Sequence, residues 1–202
     1  MRIGVFGGTF DPPHLGHLIL ASEALYQLRL ERLLWVLTPT PPHKLSQPVS
    51  PAEQRLELVL AAIEGEPRFE LSRVDLDRPG PHYAVDTVSL LQQRYPGTEI
   101  IYLLGGDSLR DLPLWYQPQA LVAGVAGLGV MRRPGSSFDL ESLAWHLPGI
   151  EEKVSFIETP LLEISSSIIR QRIAAGGPYR YFLPQRVYEL IREHRYYLPR
   201  DA

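Results

Sequence analysis

Ile3-Gly4-Val5-Phe6-Gly7-Gly8-Thr9-Phe10-Asp11-Pro12-Pro13-His14-Leu15-Gly16-His17 decides the fold of this chain. A short apolar run ends at two glycines, a proline-bearing loop follows, and Leu18, Ala21, Leu25 and Leu28 then recur at helical spacing. That order reads as strand, loop, helix. Glycines let a backbone approach a phosphate closely and leave its N–H groups free. The helix behind them offers its N-terminal N–H groups and its dipole to an anion. His14 and His17 are three apart, which at a helix start turns both imidazoles toward the loop. Two histidines could equally ligate a metal, cap the helix or sit on the surface. No third ligand is apparent nearby, and the glycines and the strand-loop-helix context favour phosphate.

Outward from this stretch the pattern repeats. Ile3–Phe6, Leu33–Leu37, Ile100–Leu104 and Gly127–Met131 are short apolar runs of the kind buried on both faces of a parallel sheet. Phe69–Val74 and Val154–Ile157 are weaker candidates. Helices are expected between them: from Leu18 to Leu28, from Ser50, at about Val85–Arg94, at Ser166–Ala175 and at Pro184–His194. Ser50, Pro51 and Glu53 read as a capping box with proline at the first helical position, continued by a stripe of Leu56, Leu60 and Ile63. Strand and helix alternate, so the expected fold is α/β, a doubly wound, mostly parallel, Rossmann-like sheet with C-terminal helices. One domain spanning 1–202 is expected, with a helical subdomain at about 165–202. Ligands of such sheets bind at the carboxyl ends of the strands. The loop Thr38-Pro39-Thr40-Pro41-Pro42-His43-Lys44 lies at such an end, and the stretch 38–48 is placed to act as a lid.

Bulk properties narrow the class. The 202 residues carry a formal net charge of -3, without the basic excess of a general nucleic-acid binder, though one phosphate pocket needs only a few local cations. Cysteine is absent, which removes disulfides, thiolate metal sites and cysteine nucleophiles together. The apolar run at the N-terminus is too short for a signal peptide, and no run approaches the roughly 20 apolar residues of a membrane span. A cytoplasmic protein with no membrane and no nucleic-acid partner is expected.

Gly-Gly-Thr-Phe-Asp-Pro followed by His14-Leu15-Gly16-His17 resembles the signature of the nucleotidylyltransferase superfamily. Four more segments resemble one branch, the bacterial nicotinate mononucleotide adenylyltransferases. These are Pro41-Pro42-His43-Lys44 with Arg55 after it; Tyr83, Ala84 and Thr87, with Ala84 where Thr is common; Gly105-Gly106-Asp107-Ser108-Leu109 with Trp115; and Ile164-Ser165-Ser166-Ser167-Ile168-Ile169-Arg170. Together the matches run from residue 4 to about 170. The substitutions Pro13, Gly106 and Ser167 remove no chemically needed group; Ala84 bears only on the shape of the acceptor pocket.

The resemblance implies transfer of the AMP unit of ATP to nicotinate mononucleotide, a step in making NAD, with Mg²⁺ carried in on ATP rather than held in a protein cage. It implies that His14, His17, Lys44 and Arg170 carry catalysis. Gly7, Gly8, Thr9, Phe10, Gly105, Asp107, Arg133, Ser166 and Ser167 would bind ATP. Tyr83, Ala84, Thr87, Trp115 and Tyr116 would hold the mononucleotide, the carboxylate meeting backbone N–H groups near Ala84 and Tyr116. Several of these residues have plainer readings on spacing alone. Asp107 could cap a helix, Trp115 could be packed in the core and Thr87 could be an interior helix residue. Lys44 could be merely solvated, Arg132 and Arg133 merely exposed. Arg55, beside Glu53 and Glu57, is expected on the surface, and Asp75 and Asp77 are expected as turn residues.

Rival functions follow from the same residues. A phosphopantetheine adenylyltransferase is usually shorter, and a cytidylyltransferase usually has another motif in place of Ile164–Arg170. A preference for nicotinamide mononucleotide differs by only a few donors. A regulatory module that has lost catalysis would be expected to lack one of the two histidines, Lys44 or Arg170, and all four are present.

Overall fold

The computed structural model describes residues 1–40, 49–131, 139–160 and 162–199. Six strands form one sheet: β1 (Arg2–Gly8), β2 (Arg32–Leu37), β3 (Phe69–Ser72), β4 (Glu99–Gly105), β5 (Gly127–Met131) and β6 (Val154–Ile157). Every pairing is parallel and the order is β3-β2-β1-β4-β5-β6. All six expected strands are present. The helices are α1 (Leu15–Gln27), α2 (Ala52–Ile63), α3 (Ala84–Arg94), α4 (Gly106–Asp111), α5 (Pro118–Gly124), α6 (Leu140–His146), α7 (Ile150–Lys153), α8 (Ser166–Ala174) and α9 (Gln185–Glu193).

Alternation along the strands builds two cores. Ile3, Val5, Leu34, Val36, Ile100, Tyr102 and Leu104 face one side, where they meet Val88 and Leu91 of α3 and Leu121 and Val122 of α5. Phe6, Leu33, Trp35, Leu37, Ile101 and Leu103 face the other, against Leu20, Ala21, Ala24 and Leu25 of α1 and Val59 and Ile63 of α2. A third cluster joins Leu58 and Ala62 of α2 to Ile169 and Ile173 of α8 and to Val187, Leu190 and Ile191 of α9. Runs apolar on both faces are what this double covering requires.

Helix α2 departs from the sequence reading. Pro51 (φ -48°, ψ 142°) is the N-cap residue rather than the first helical one, and no side chain caps the helix. Extended proline backbone delays the helix by one residue, and the Ser50 N–H instead donates to Asp11 Oδ2 at 3.2 Å. The buried face is Arg55, Leu58, Val59, Ala62 and Ile63, whereas Leu60 is 48% exposed. A helix wedged between the sheet and the C-terminal helices buries a face turned away from the single stripe that the periodicity suggests.

The strand order reverses at β1. From β1 the chain builds toward β3, then crosses back to β4 on the other flank. Loops after β1 and β4 therefore leave in opposite directions and open a crevice at the carboxyl edge. The first histidine loop and the Gly105–Trp115 segment flank it.

Candidate active site

The loop after β1 is held from below. Phe10 has φ +49°, costly for a residue with a side chain, and its ring is buried. It packs on Phe6 at 5.3 Å, Trp35 at 5.0 Å and His17 at 5.2 Å between ring centroids. Burial of the ring offsets the backbone strain and fixes where α1 begins. His14 is the N-cap residue of α1, in extended backbone, and its N–H donates to Nδ1 of His17 at 3.1 Å. The two rings lie 3.7 Å apart, tilted by 32°. A Cβ at Gly16 would come within 3.1 Å of the His14 ring, so glycine leaves the imidazole its room.

Because Nδ1 of His17 accepts a backbone N–H, the neutral ring carries its proton on Nε2. The pair thus serves the helix start, with the His17 ring receiving the His14 N–H.

Helix α8 is strapped onto this loop. Arg170 Nη1 donates to the Asp11 carbonyl at 2.7 Å and lies 3.9 Å from Asp11 Oδ2. Ser166 Oγ donates to the Pro12 carbonyl at 2.8 Å. Ser165 caps α8 by accepting from the Ile168 N–H, and Ser167 is exposed. Asp11 is buried and takes a third bond, from Tyr197 Oη at 2.9 Å. Burial, then the charge of Asp11, pushes the Tyr197 phenol well above its ordinary pKa.

Arg55 overturns its expected surface role. It is 1% exposed and donates to four carbonyls: Ser50 at 2.8 Å, Thr9 at 2.9 Å, Thr38 at 2.9 Å and Pro39 at 2.7 Å. A planar guanidinium with five donors is suited to tying the loops after β1 and β2 together. Burial draws its pKa down, opposed most strongly by Asp11.

Beside the histidine loop lies a cavity of about 250 Å³. Gly7, Gly8 and Thr9 form one wall, with Val36 and Thr38; Tyr83, Ala84 and Thr87 another; Ser108, Trp115 and Tyr116 a third; Asp75, His82 and Tyr102 complete it. Tyr83 stacks on Tyr116 with centroids 4.2 Å apart. Trp115 lines the cavity and also packs on the α3 side of the core. Tyr83 is the N-cap residue of α3, whose N-terminus therefore opens on the cavity.

Asp75 lies in a turn, as expected, but it is buried. It receives the Thr87 hydroxyl at 2.8 Å and pairs with Arg78 at 3.0 Å. Arg78 also donates to the Pro81 carbonyl at 3.1 Å, bracing the approach to α3. Asp77 stays exposed with Arg73. Asp107 is not a helix cap: Gly105 occupies that position, and Asp107 sits in the first turn of α4, 3.3 Å from Arg110. Lys44, Arg132 and Arg133, like most of the stretch 38–48, lie outside the described residues.

A cytidylyltransferase-like family model matches residues 5–172. The Bacillus subtilis nicotinate-nucleotide adenylyltransferase is 38% identical over 97% of this chain and 98% of its own. The chain belongs to the nicotinate-nucleotide adenylyltransferase family. A Thermomicrobium roseum member, named probable nicotinate-nucleotide adenylyltransferase, is 43% identical over all of this chain and 94% of its own. At the level of fold, the chain matches the Plasmodium falciparum nicotinic acid mononucleotide adenylyltransferase complexed with NaAD, with a TM-score of 0.79 at 18% identity over 97% of each chain. Among the described residues no helix is long and apolar enough to cross a membrane.

Around this site, Asp11, His82, Tyr102, Ser108 and Tyr197 went unmarked in the sequence as site residues. Asp11 had one available signal, its place inside the histidine loop. Ser108 had one too, its place in the Gly105–Leu109 segment, whereas His82, Tyr102 and Tyr197 lie in no quoted motif and reach the site only through tertiary packing.

Proposed function

We propose that the protein transfers the AMP unit of MgATP to nicotinate mononucleotide, giving nicotinate adenine dinucleotide and pyrophosphate in NAD synthesis. The observation that carries this reading is the adjacency of the paired histidines at the start of α1 and the aromatic-walled cavity beside the same loop. One end suits phosphates, the other a flat ring.

A phosphate oxygen of the mononucleotide attacks the α-phosphorus of ATP in line. The bond from the α-phosphorus to the bridging oxygen breaks, and pyrophosphate leaves with the electron pair. The attacking group is already an anion, so no strong base is required, and positioning with charge neutralisation carries the rate. His17 offers Nε2–H to the phosphates, with His14 beside it. Arg170 shares its cationic head between Asp11 and the phosphate side, and Ser166 and Ser167 stand at the start of α8. Lys44 brings a further cation. Gly7, Gly8 and Thr9 offer backbone, and Gly105, Asp107 and Arg133 complete the nucleotide side. Tyr83, Ala84, Thr87, Trp115 and Tyr116 enclose the pyridine ring.

No cluster of three or more His, Asp or Glu suited to a metal occurs among the described residues. Mg²⁺ is read as arriving on the ATP phosphates, since it prefers phosphate and water oxygens to an all-protein cage. The C-terminal helices are read as part of one domain, since Ser166 and Arg170 complete the loop after β1. The reaction is assigned to the cytoplasm.

The test is pyrophosphate release from MgATP with nicotinate mononucleotide, nicotinamide mononucleotide and phosphopantetheine as parallel acceptors. Release with the first is expected. Release with phosphopantetheine alone, or with none of the three in protein that still binds ATP, overturns the reading.

A further inference from the structure

Tyr102 is a polar group of the cavity to which the reading above gives no task. It lies on β4, paired with Val5 of β1, and is 7% exposed. Its phenol reaches over β1: a Cβ on Gly7 would stand 2.7 Å from its Oη. Tyr102 lines the cavity, yet no group among the described residues takes or gives it a hydrogen bond. Of its neighbours on that wall, His82 keeps a buried Nδ1 without a hydrogen bond, while Asp75 and Thr87 are engaged. Asp75 receives Thr87 and pairs with Arg78, and the Thr87 hydroxyl is committed to Asp75.

The hydroxyl opens on the cavity, where a polar group gains by bonding whatever fills the space. Burial, and after it the charge of Asp75, holds this phenol protonated well above its ordinary range. It therefore presents an O–H donor to whatever fills the cavity.

The geometry points to Tyr102 Oη as a specificity-determining donor to the ring carboxylate of the acceptor, an inference that rests on the function proposed above. The cavity lining includes neither His14, His17 nor Arg170, so the reacting phosphate belongs outside it and the ring inside. Of the ring's substituents, the carboxylate is the oxygen acceptor. Asp75 does not repel it unopposed, because Arg78 lies 3.0 Å from the Asp75 oxygen. A hydrogen bond to a carboxylate is about twice as strong as one to a neutral amide oxygen, so this donor favours the acid over the amide.

The experiment is steady-state kinetics of Tyr102→Phe, which removes one oxygen and keeps the ring, with the thermal midpoint as a check on the fold. KM for nicotinate mononucleotide should rise about tenfold to a hundredfold, with KM for ATP unchanged and KM for nicotinamide mononucleotide moving clearly less. An unchanged KM for nicotinate mononucleotide overturns the assignment. So does an equal rise for acid and amide, which would place the bond on the shared ribose. Wild-type protein inactive with every acceptor would instead remove the function on which the inference rests.

Discussion

The backbone N–H of His14 donates to Nδ1 of His17 at 3.1 Å, and the two rings lie 3.7 Å apart. One bond thus sets both the start of α1 and the tautomer of a histidine facing the crevice. The same residues serve structure and chemistry, and the two uses are separable by experiment.

Replacing His17 with Ala should lower kcat by about a hundredfold or more, the scale seen when one preorganised donor to developing charge is lost. Helix capping will suffer only modestly, by about 1 kcal/mol. Pyrophosphate release and circular dichroism on the same sample check this. Near-normal turnover would remove His17 from the mechanism.

Arg55 should matter to stability more than its sequence context suggests. Arg55→Ala strands four carbonyls that now share one guanidinium. A loss of about 3 kcal/mol follows, or a fall of roughly 6–12 °C in thermal midpoint for a chain of this size. Lysine at this position recovers only part, since an ammonium cannot reach all four. Calorimetry showing a change within about 1 °C for Arg55→Ala would contradict the role.

Gly7 and Tyr102 should be coupled. Gly7→Ala places a methyl 2.7 Å from the phenol oxygen but 3.6 Å from the ring carbon bearing it. The single change should cost about 1–3 kcal/mol through overpacking, and Tyr102→Phe should relieve much of it. A double-mutant cycle in urea measures this. Strict additivity would mean that the loop shifts to escape the contact.

Alkaline pH should destabilise the protein through Tyr102 and Tyr197. Both have folded-state pKa values raised by burial above the ordinary 10.0. Below pH 10 both states hold the proton and the contribution is complete. Above it the unfolded chain releases the proton first, so stability falls by about 1.4 kcal/mol per pH unit for each tyrosine. Tyr197→Phe should flatten that slope by one tyrosine's share in denaturant midpoints measured between pH 9 and 11. An unaltered slope would show that Tyr197 titrates normally in the folded state.

Much of the fold was legible in the sequence. The strand at Ile3–Phe6, the apolar runs of β2, β4 and β5, and the helices read over Leu18–Leu28 and about Val85–Arg94 follow from residue type and period, because burial on two faces and helical spacing are local patterns; the structure extends the first strand to Gly8 and starts the first helix at Leu15. The histidine loop was equally visible, since its glycines, prolines and two histidines are contiguous.

Only the tertiary structure decided the rest. Arg55 looks like one more charge on a helix until the carbonyls of Thr9, Thr38 and Pro39 converge on it. Asp75 looks like a turn residue until Thr87 and Arg78 close over it. Tyr102 looks like a core aromatic until Gly7 on the adjacent strand opens the space its hydroxyl enters. Local pattern determines which segments become strands and helices. What a buried polar atom does is determined by partners drawn from distant parts of the chain, and those meet only when the strands take their order in the sheet.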